Sequence, residues 1–243
     1  MPDPVLDPLN PEQRAAVTHG DGPLLVLAGA GSGKTRVIAH RIAYLLLHKH
    51  VSPRSILAVT FTNKAAGEMR ERVMALLKKD ALPFLWIGTF HATCARILRA
   101  DVGSLGTPYT KDFTILDADE SQGLVKSILK DRGISDRNFP PRSVASAISR
   151  AKTAGQDAVA YEAKAVGHFA STVAVVYKDY ERRLLSSNAM DFDDLLCLTL
   201  RLLEEEKEVR SRYADRFQYV LVDEYQDTNR IQYELLRHLS SRW

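Results

Sequence analysis

Over its first hundred or so residues the chain alternates between short unbroken apolar runs and longer stretches whose apolar residues recur every three or four positions. Leu24-Leu25-Val26-Leu27 lies between Gly22-Pro23 and a glycine cluster, the form of a strand buried on both faces of a parallel sheet. From Lys34 to about Lys49, Val37, Ile38, Ile42, Leu45 and Leu46 line one side of an amphipathic helix. Ser55–Phe61 then reads as strand, Asn63–Lys79 as helix, Trp86–Phe90 as strand and His91–Arg99 as helix. This alternation predicts right-handed βαβ units and an α/β fold, an open parallel sheet with helices on both faces.

After about residue 100 the rhythm changes. Apart from the strand-like Phe113-Thr114-Ile115-Leu116, helical patterns occupy roughly 119–132, 141–152, 168–187 and 191–206, with turn signals at Gly133, Pro140-Pro141 and Gly155. Strand character returns at Tyr219-Val220-Leu221-Val222, followed by an amphipathic helix over Asn229–Ser241. The expected organisation is a sheet-forming part over 1–92, a mainly helical insertion over 93–212 and a second sheet-forming part over 213–243. A βαβ unit needs a strand after its helix and none follows Trp243, so the sheet is expected to be truncated at its C-terminal end.

Composition adds boundaries to this picture. Apolar residues make up 45% of the 243, enough for a buried core and too many for a disordered chain. A net charge of +3 excludes a polybasic tail but leaves room for a local basic groove. Cys94 and Cys197 have no CxxC spacing, which suits a reducing compartment and ordinary buried thiols. No apolar run reaches the ~18–20 residues of a membrane span. The N-terminal MPDPVLDPLN is acidic and proline-rich, unlike a signal peptide, so a cytoplasmic, non-membrane protein is expected.

Between the first expected strand and helix lies Ala28-Gly29-Ala30-Gly31-Ser32-Gly33-Lys34-Thr35, a Walker A (P-loop) pattern in which Ala28 replaces the first glycine. Glycines let a run of backbone N–H groups curl around phosphate, and the helix N-terminus adds partial positive charge. Lys34 can reach the β and γ phosphates of ATP, and the Thr35 hydroxyl can ligate Mg²⁺. The strand Tyr219–Val222 ends in Asp223-Glu224, at the edge of a parallel sheet where ligands collect. Asp223 can hold Mg²⁺ through water, and Glu224 can orient and deprotonate the attacking water. On their own these acids could equally be solvated groups at a strand end.

The run Asp223-Glu224-Tyr225-Gln226-Asp227-Thr228-Asn229 extends well past a generic acidic strand end. With Val59-Thr60-Phe61-Thr62-Asn63-Lys64-Ala65-Ala66, Gly88-Thr89-Phe90-His91, Leu9-Asn10-Pro11-Glu12-Gln13 and Asp191-Phe192-Asp193-Asp194-Leu195-Leu196, it resembles the N-terminal part of a UvrD/Rep-type superfamily 1 DNA helicase over essentially the whole chain. The resemblance implies a P-loop NTPase of RecA-like fold, interrupted by a helical subdomain. It also implies a second RecA-like domain downstream, whose arginines stabilise the transition-state charge, a contribution of ~10³–10⁵ in rate for arginine fingers generally. ATP hydrolysis coupled to 3′–5′ movement on single-stranded DNA, duplex unwinding at single-strand/duplex junctions, and a place in DNA repair or replication follow from it as expectations. The chain by itself is expected to turn ATP over poorly. A nucleotide- and DNA-binding module without motor activity, and the opening of a RecB- or AddA-like helicase-nuclease, are the alternatives.

Site roles follow the same resemblance. Arg36 joins the loop residues Ala28–Thr35 as a nucleotide contact, and Gln226 joins Lys34, Asp223 and Glu224 in the catalytic set. Gln13 becomes the reader of adenine, a role its carboxamide suits because it can bond N6 and N7 together. Read locally, Asn10-Pro11-Glu12-Gln13 is a helix start with Asn10 as cap and Gln13 closing a capping box. Phe61 and Phe90 would stack DNA bases, worth ~1–3 kcal/mol each, while Thr62, Asn63, Lys64, Thr89 and His91 would contact phosphate or sugar. Strand-end phenylalanines also commonly belong to the core, and His91 has no second ligand at metal spacing.

Within the insertion, Lys126, Lys130, Arg132, Arg137, Arg142, Arg150 and Lys152 face only Asp131 and Asp136, a local excess of basic charge. That cluster fits either a duplex-touching surface or a solvated face. Asp191, Asp193 and Asp194 fit a cation site or, more economically, acids complementing a helix N-terminus.

Overall fold

The computed structural model describes residues 3–29, 31–79 and 83–243. They form two compact units, Met1–Thr93 with Glu208–Trp243, and Cys94–Lys207.

The first unit is built on a three-stranded parallel sheet of β1 (Ile56–Thr60), β2 (Trp86–Thr89) and β5 (Tyr219–Val222), with β1 in the centre. Leu57 pairs with Trp86 on one side and Val220 on the other, and Ala58 with Ile87 and Leu221. Every residue of β1 is buried, as the apolar run Ile56–Val59 that makes up all but its last position requires. Alternate residues of a strand face opposite ways. Ile56, Ala58 and Ile87 pack against α2 (Lys34–Leu47) and α3 (Asn63–Leu77) through Ile42, Leu45, Met69 and Val73. On the other face Trp86 meets Phe217 and Tyr213 edge-on, with ring centroids 5.1 and 6.4 Å away. Tyr213 belongs to α10 (Lys207–Arg216), a helix absent from the expected pattern because its one strongly apolar position, Val209, sits among charged residues. The unit also contains α1 (Pro11–Thr18), α11 (Arg230–Leu239) and the start of α4 (Phe90–Asp101).

One expectation fails. Leu24–Leu27 forms no strand and is exposed, Leu25 at 66% and Leu27 at 86%. A doubly buried parallel strand needs a neighbour to complete its ladder. Among the described residues β5 pairs with β1 alone, so its far edge supplies no partner to this segment.

The second unit is mainly helical: α5 (Ala118–Asp131), α6 (Pro141–Thr153), α7 (Ala158–Lys164), α8 (His168–Ser186) and α9 (Phe192–Glu205), with the short parallel pair β3 (Thr114–Ile115) and β4 (Ala189–Met190). Val125, Ile128, Leu129, Val144, Ile148, Val173, Val176 and Tyr177 make its core.

Candidate nucleotide and nucleic-acid site

The loop entering α2 owes its path to glycine. Gly31 (φ +75°) and Gly33 (φ +89°) occupy the left-handed region, where a Cβ is strained. Ser32 closes a turn by donating its backbone N–H and hydroxyl to the Gly29 carbonyl, at 3.3 and 2.7 Å. Gly33 then serves as the N-cap of α2, with no side chain capping the first turn. An uncapped helix start carrying Lys34, Thr35 and Arg36 leaves backbone N–H donors and positive charge on the same side. Ala30, the remaining loop position, lies outside the described residues.

Across from this loop, β5 is followed by Asp223, whose N–H donates to the Val59 carbonyl at 2.9 Å and whose side chain is buried. The Thr35 hydroxyl donates to Asp223 Oδ2 at 2.9 Å, joining two residues 188 positions apart. Lys34 Nζ lies 3.8 Å from Glu224 Oε2 and 3.4 Å from the Ala28 carbonyl. Glu224 itself adopts φ +50°, uncommon for a side-chain-bearing residue, which turns the chain sharply at the strand end. Gln226 Nε2 donates to Glu224 Oε2 at 2.5 Å, so the two side chains are already coupled. A hydroxyl and a carboxylate 2.9 Å apart, beside a lysine and a second carboxylate, form an all-oxygen donor set of the kind a hard divalent cation takes alongside phosphate.

Gln13 serves as both cap and bridge. Its N–H donates to Asn10 Oδ1 at 2.8 Å and its Oε1 accepts from the Asn10 N–H at 3.3 Å, which is the capping box. Its Nε2 meanwhile donates to the Ser32 carbonyl of the loop at 3.0 Å. Arg36 Nη2 donates to the Pro8 carbonyl at 2.8 Å.

A family model described as the UvrD/REP helicase N-terminal domain matches residues 9–242. The chain belongs to that family. It is 48% identical over 239 residues to the ATP-dependent DNA helicase PcrA of Bacillus subtilis (strain 168), covering 98% of this chain and 32% of that protein. It is 48% identical over 240 residues to the ATP-dependent DNA helicase UvrD1 of Mycobacterium leprae (strain TN), covering 98% and 31%. Against PcrA of Staphylococcus aureus (strain Mu50) the identity is 46% over 239 residues, again 98% and 32%. The chain thus spans about a third of the length of these relatives. Its mixed α/β build around a parallel sheet accords with a UvrD/REP N-terminal domain.

The nucleic-acid candidates of this UvrD/REP domain divide by exposure. Thr62, Asn63 and Lys64 are exposed at the start of α3, with the Thr62 hydroxyl accepting from the Ala65 N–H at 3.1 Å. Phe61 and His91 are half-buried. Phe90 is 4% exposed, its ring 5.6 Å from that of Phe61 at a tilted angle, so in this conformation it supports Phe61 from beneath and offers no stacking face. Thr89 is likewise buried, its hydroxyl accepting from the Ala92 N–H at 3.1 Å. Their burial has one cause: residues 89 and 90 sit where β2 turns directly into α4, and that junction lies inside the unit.

In the helical unit, two of the seven basic residues are paired with acids, and one of the two, Lys152, leaves the surface. Lys152 is buried, donating to Asp191 Oδ2 at 2.7 Å and Asp194 Oδ1 at 2.6 Å, and Arg132 is paired with Asp179. Asp191 caps α9 in a capping box with Asp194 and accepts from the Tyr180 hydroxyl at 2.9 Å. The acids here cap α9 and hold a lysine, and no cluster of three or more His, Cys, Asp or Glu side chains that could hold a metal ion occurs among the described residues. Burial pushes both cysteine thiols up to about 12, as expected of structural cysteines. Sequence reasoning missed His40 and Arg41, buried polar residues of α2 that bond the backbone of the N-terminal segment. The signal available was two polar residues within the helix's apolar stripe.

Proposed function

We propose that this chain is the ATP-binding part of a DNA translocase and helicase, coupling ATP hydrolysis to 3′–5′ movement on single-stranded DNA and to unwinding at single-strand/duplex junctions. In this reading residues 1–92 and 213–243 form a RecA-like P-loop core and 93–212 a helical insertion. The observation that carries it is the 2.9 Å hydrogen bond from Thr35 to Asp223, with Lys34 beside Glu224. It unites two motifs from opposite ends of the chain. Names of the relatives support ATP and DNA as ligands.

Each residue then has a chemical task. The N–H groups at the start of α2 and the Lys34 ammonium bind the phosphates. Thr35 and Asp223 are the residues that would hold Mg²⁺, which when bound neutralises the charge developing between the β and γ phosphates. Glu224 accepts the proton of the attacking water, and Gln226, already bonded to it, orients its carboxylate. Gln13 exchanges its loop contact for the adenine edge, and Arg36 lies alongside the base. Phe61 with Thr62, Asn63, Lys64 and His91 meets single-stranded DNA. The exposed apolar Leu24–Leu27 and the free edge of β5 support a larger motor, in which further chain completes the sheet and a second RecA-like domain closes the ATP site. Cytoplasmic residence accords with such a role.

The test measures ATP binding with a fluorescent analogue, and ATPase rate with and without single-stranded DNA, in wild type, Lys34→Ala and Glu224→Gln. Lys34→Ala is expected to abolish binding; Glu224→Gln is expected to bind normally and to lose at least about 100-fold of any turnover. Hydrolysis at the wild-type rate in both variants would refute the assignment.

A further inference from the structure

The helix carrying Gln13 is too slight to hold itself in place. α1 has eight residues, below the ~12–15 at which isolated helices become stable, and Val17 is the one residue it buries. Polar bonds from α2 hold it and the segment before it. His40 Nδ1 donates to the Val5 carbonyl at 2.6 Å, the proton assigned to this nitrogen because a carbonyl can only accept. Arg36 reaches the Pro8 carbonyl. Arg41, 9% exposed, grips the other end of α1, with Nη1 donating to the Val17 and His19 carbonyls at 2.8 and 2.5 Å and Nη2 to the Gly20 carbonyl at 3.1 Å. These are C-terminal carbonyls that a short helix leaves without partners. Burial lowers the Arg41 pKa, and Tyr219, Tyr44 and Asp21 act against that. The Tyr219 hydroxyl, donating to Asp21 at 3.2 Å, fastens the chain just beyond α1 to β5.

We infer that Arg41 is a positioning residue for base recognition: by fixing the C-terminal end of α1 to α2, it sets where the Gln13 carboxamide stands over the phosphate loop. Val17 is one helical turn from Gln13, ~6 Å along the axis, so a tilt released at Arg41 reaches Gln13 at full amplitude. Gln13 leaves little tolerance, because Nε2 is already 3.0 Å from Ser32 and would stand 3.2 Å from a Cβ at Gly33. The phosphate contacts lie on the loop and α2 and do not pass through α1. Arg41 therefore controls the choice of base and leaves affinity for the triphosphate alone. This rests on the adenine role proposed above for Gln13.

The experiment displaces a fluorescent ATP analogue from the chain with ATP, GTP and inorganic triphosphate, in wild type, Gln13→Ala, Arg41→Ala, Arg41→Lys and the Gln13→Ala/Arg41→Ala double variant. Wild type is expected to prefer ATP over GTP by about tenfold or more, the worth of a good bidentate base contact. Gln13→Ala and Arg41→Ala should each bring that ratio near one, Arg41→Ala with triphosphate affinity within about twofold of wild type, and the double variant should show no further loss of preference. Arg41→Lys, which keeps the charge but cannot span three carbonyls, should fall between, and it decides the matter if circular dichroism shows Arg41→Ala unfolded. A ratio unchanged in the Arg41 variants but lost in Gln13→Ala overturns the inference. So does equal loss of triphosphate affinity, the mark of a general structural role. A ratio unchanged in Gln13→Ala instead overturns the adenine reading itself.

Discussion

Each unit contains a lysine set beside acids, two in the helical unit and one in the sheet unit, and the two arrangements are opposites. In the helical unit the Lys152 side chain is 4% exposed and bonds both Asp191 and Asp194 within 2.7 Å. In the sheet unit Lys34 is 26% exposed, at 3.8 Å from Glu224, itself 39% exposed, while Asp223 bonds Thr35. The first group is closed: every charge has a short internal partner, and little space or charge is left for a ligand. The second is open, because water screens its pairing and the lysine can leave its neighbour for a phosphate at small cost. A lysine is thus committed to cohesion or left available to a ligand according to how far water has been excluded.

The comparison breaks most sharply at the two lysines. Lys152→Ala strands two carboxylates in the interior and is expected to cost about 3–5 kcal/mol, measured as a drop in the urea midpoint followed by circular dichroism. Lys34→Ala removes a long, screened pairing and a 3.4 Å contact to the exposed Ala28 carbonyl, so the same melt should move by no more than about 0.5 kcal/mol although nucleotide binding is expected to be lost. Equal destabilisation by both substitutions would erase the distinction.

A smaller effect comes from pH. Burial foremost, and the Asp191 charge beside it, push Asp194 up to about 7 against the pull of Lys152. For Asp191 burial also opposes ionisation, but Lys152 and the bonds from Asp194 and Tyr180 outweigh it, and its pKa is lowered. A carboxyl raised on folding keeps a proton that the unfolded chain releases, so its contribution to stability falls as pH rises from about 4 to about 7. Asp191 contributes the reverse, stability present above the unfolded value and lost as acid protonates it. Urea melts from pH 4.5 to 7.5 should show the Asp194 decline in wild type and a flatter profile in Asp194→Asn. Identical slopes would mean that the cluster does not hold the extra proton.

The smallest effect separates a cap from a ligand contact at the sheet unit's surface. Thr62→Ala removes the cap of α3 and should cost about 1 kcal/mol. Thr62→Ser should restore stability by thermal melting, and a failure to restore it would assign the loss to the methyl group.

How legible these features were in the residues depended on the range of the interaction that creates them. α2, β1, α3 and β5 follow apolar patterns that are complete within each element, and the structure places them within two residues of expectation. Leu24–Leu27 carries the same apolar signal, yet a strand also needs an edge to join, and nothing within four residues records whether one exists. Lys152 looked like part of a basic surface because its partners lie 39 and 42 positions onward. The burial of Phe90 is not legible because sequence does not say which side of a strand-to-helix junction faces inward. The proximity of Thr35 and Asp223 was expected across 188 residues only because parallel-sheet topology gathers strand ends on one edge.

Gly33 and Gln13 form one steric unit although twenty residues separate them. Any side chain at 33 would need a strained backbone and would also intrude on the carboxamide 3.2 Å away. Redesigning the loop for another nucleotide therefore cannot proceed one position at a time. A larger residue at 33 demands a shorter one at 13, so on the proposed adenine role of Gln13 the same change that reshapes the loop would also remove the base contact.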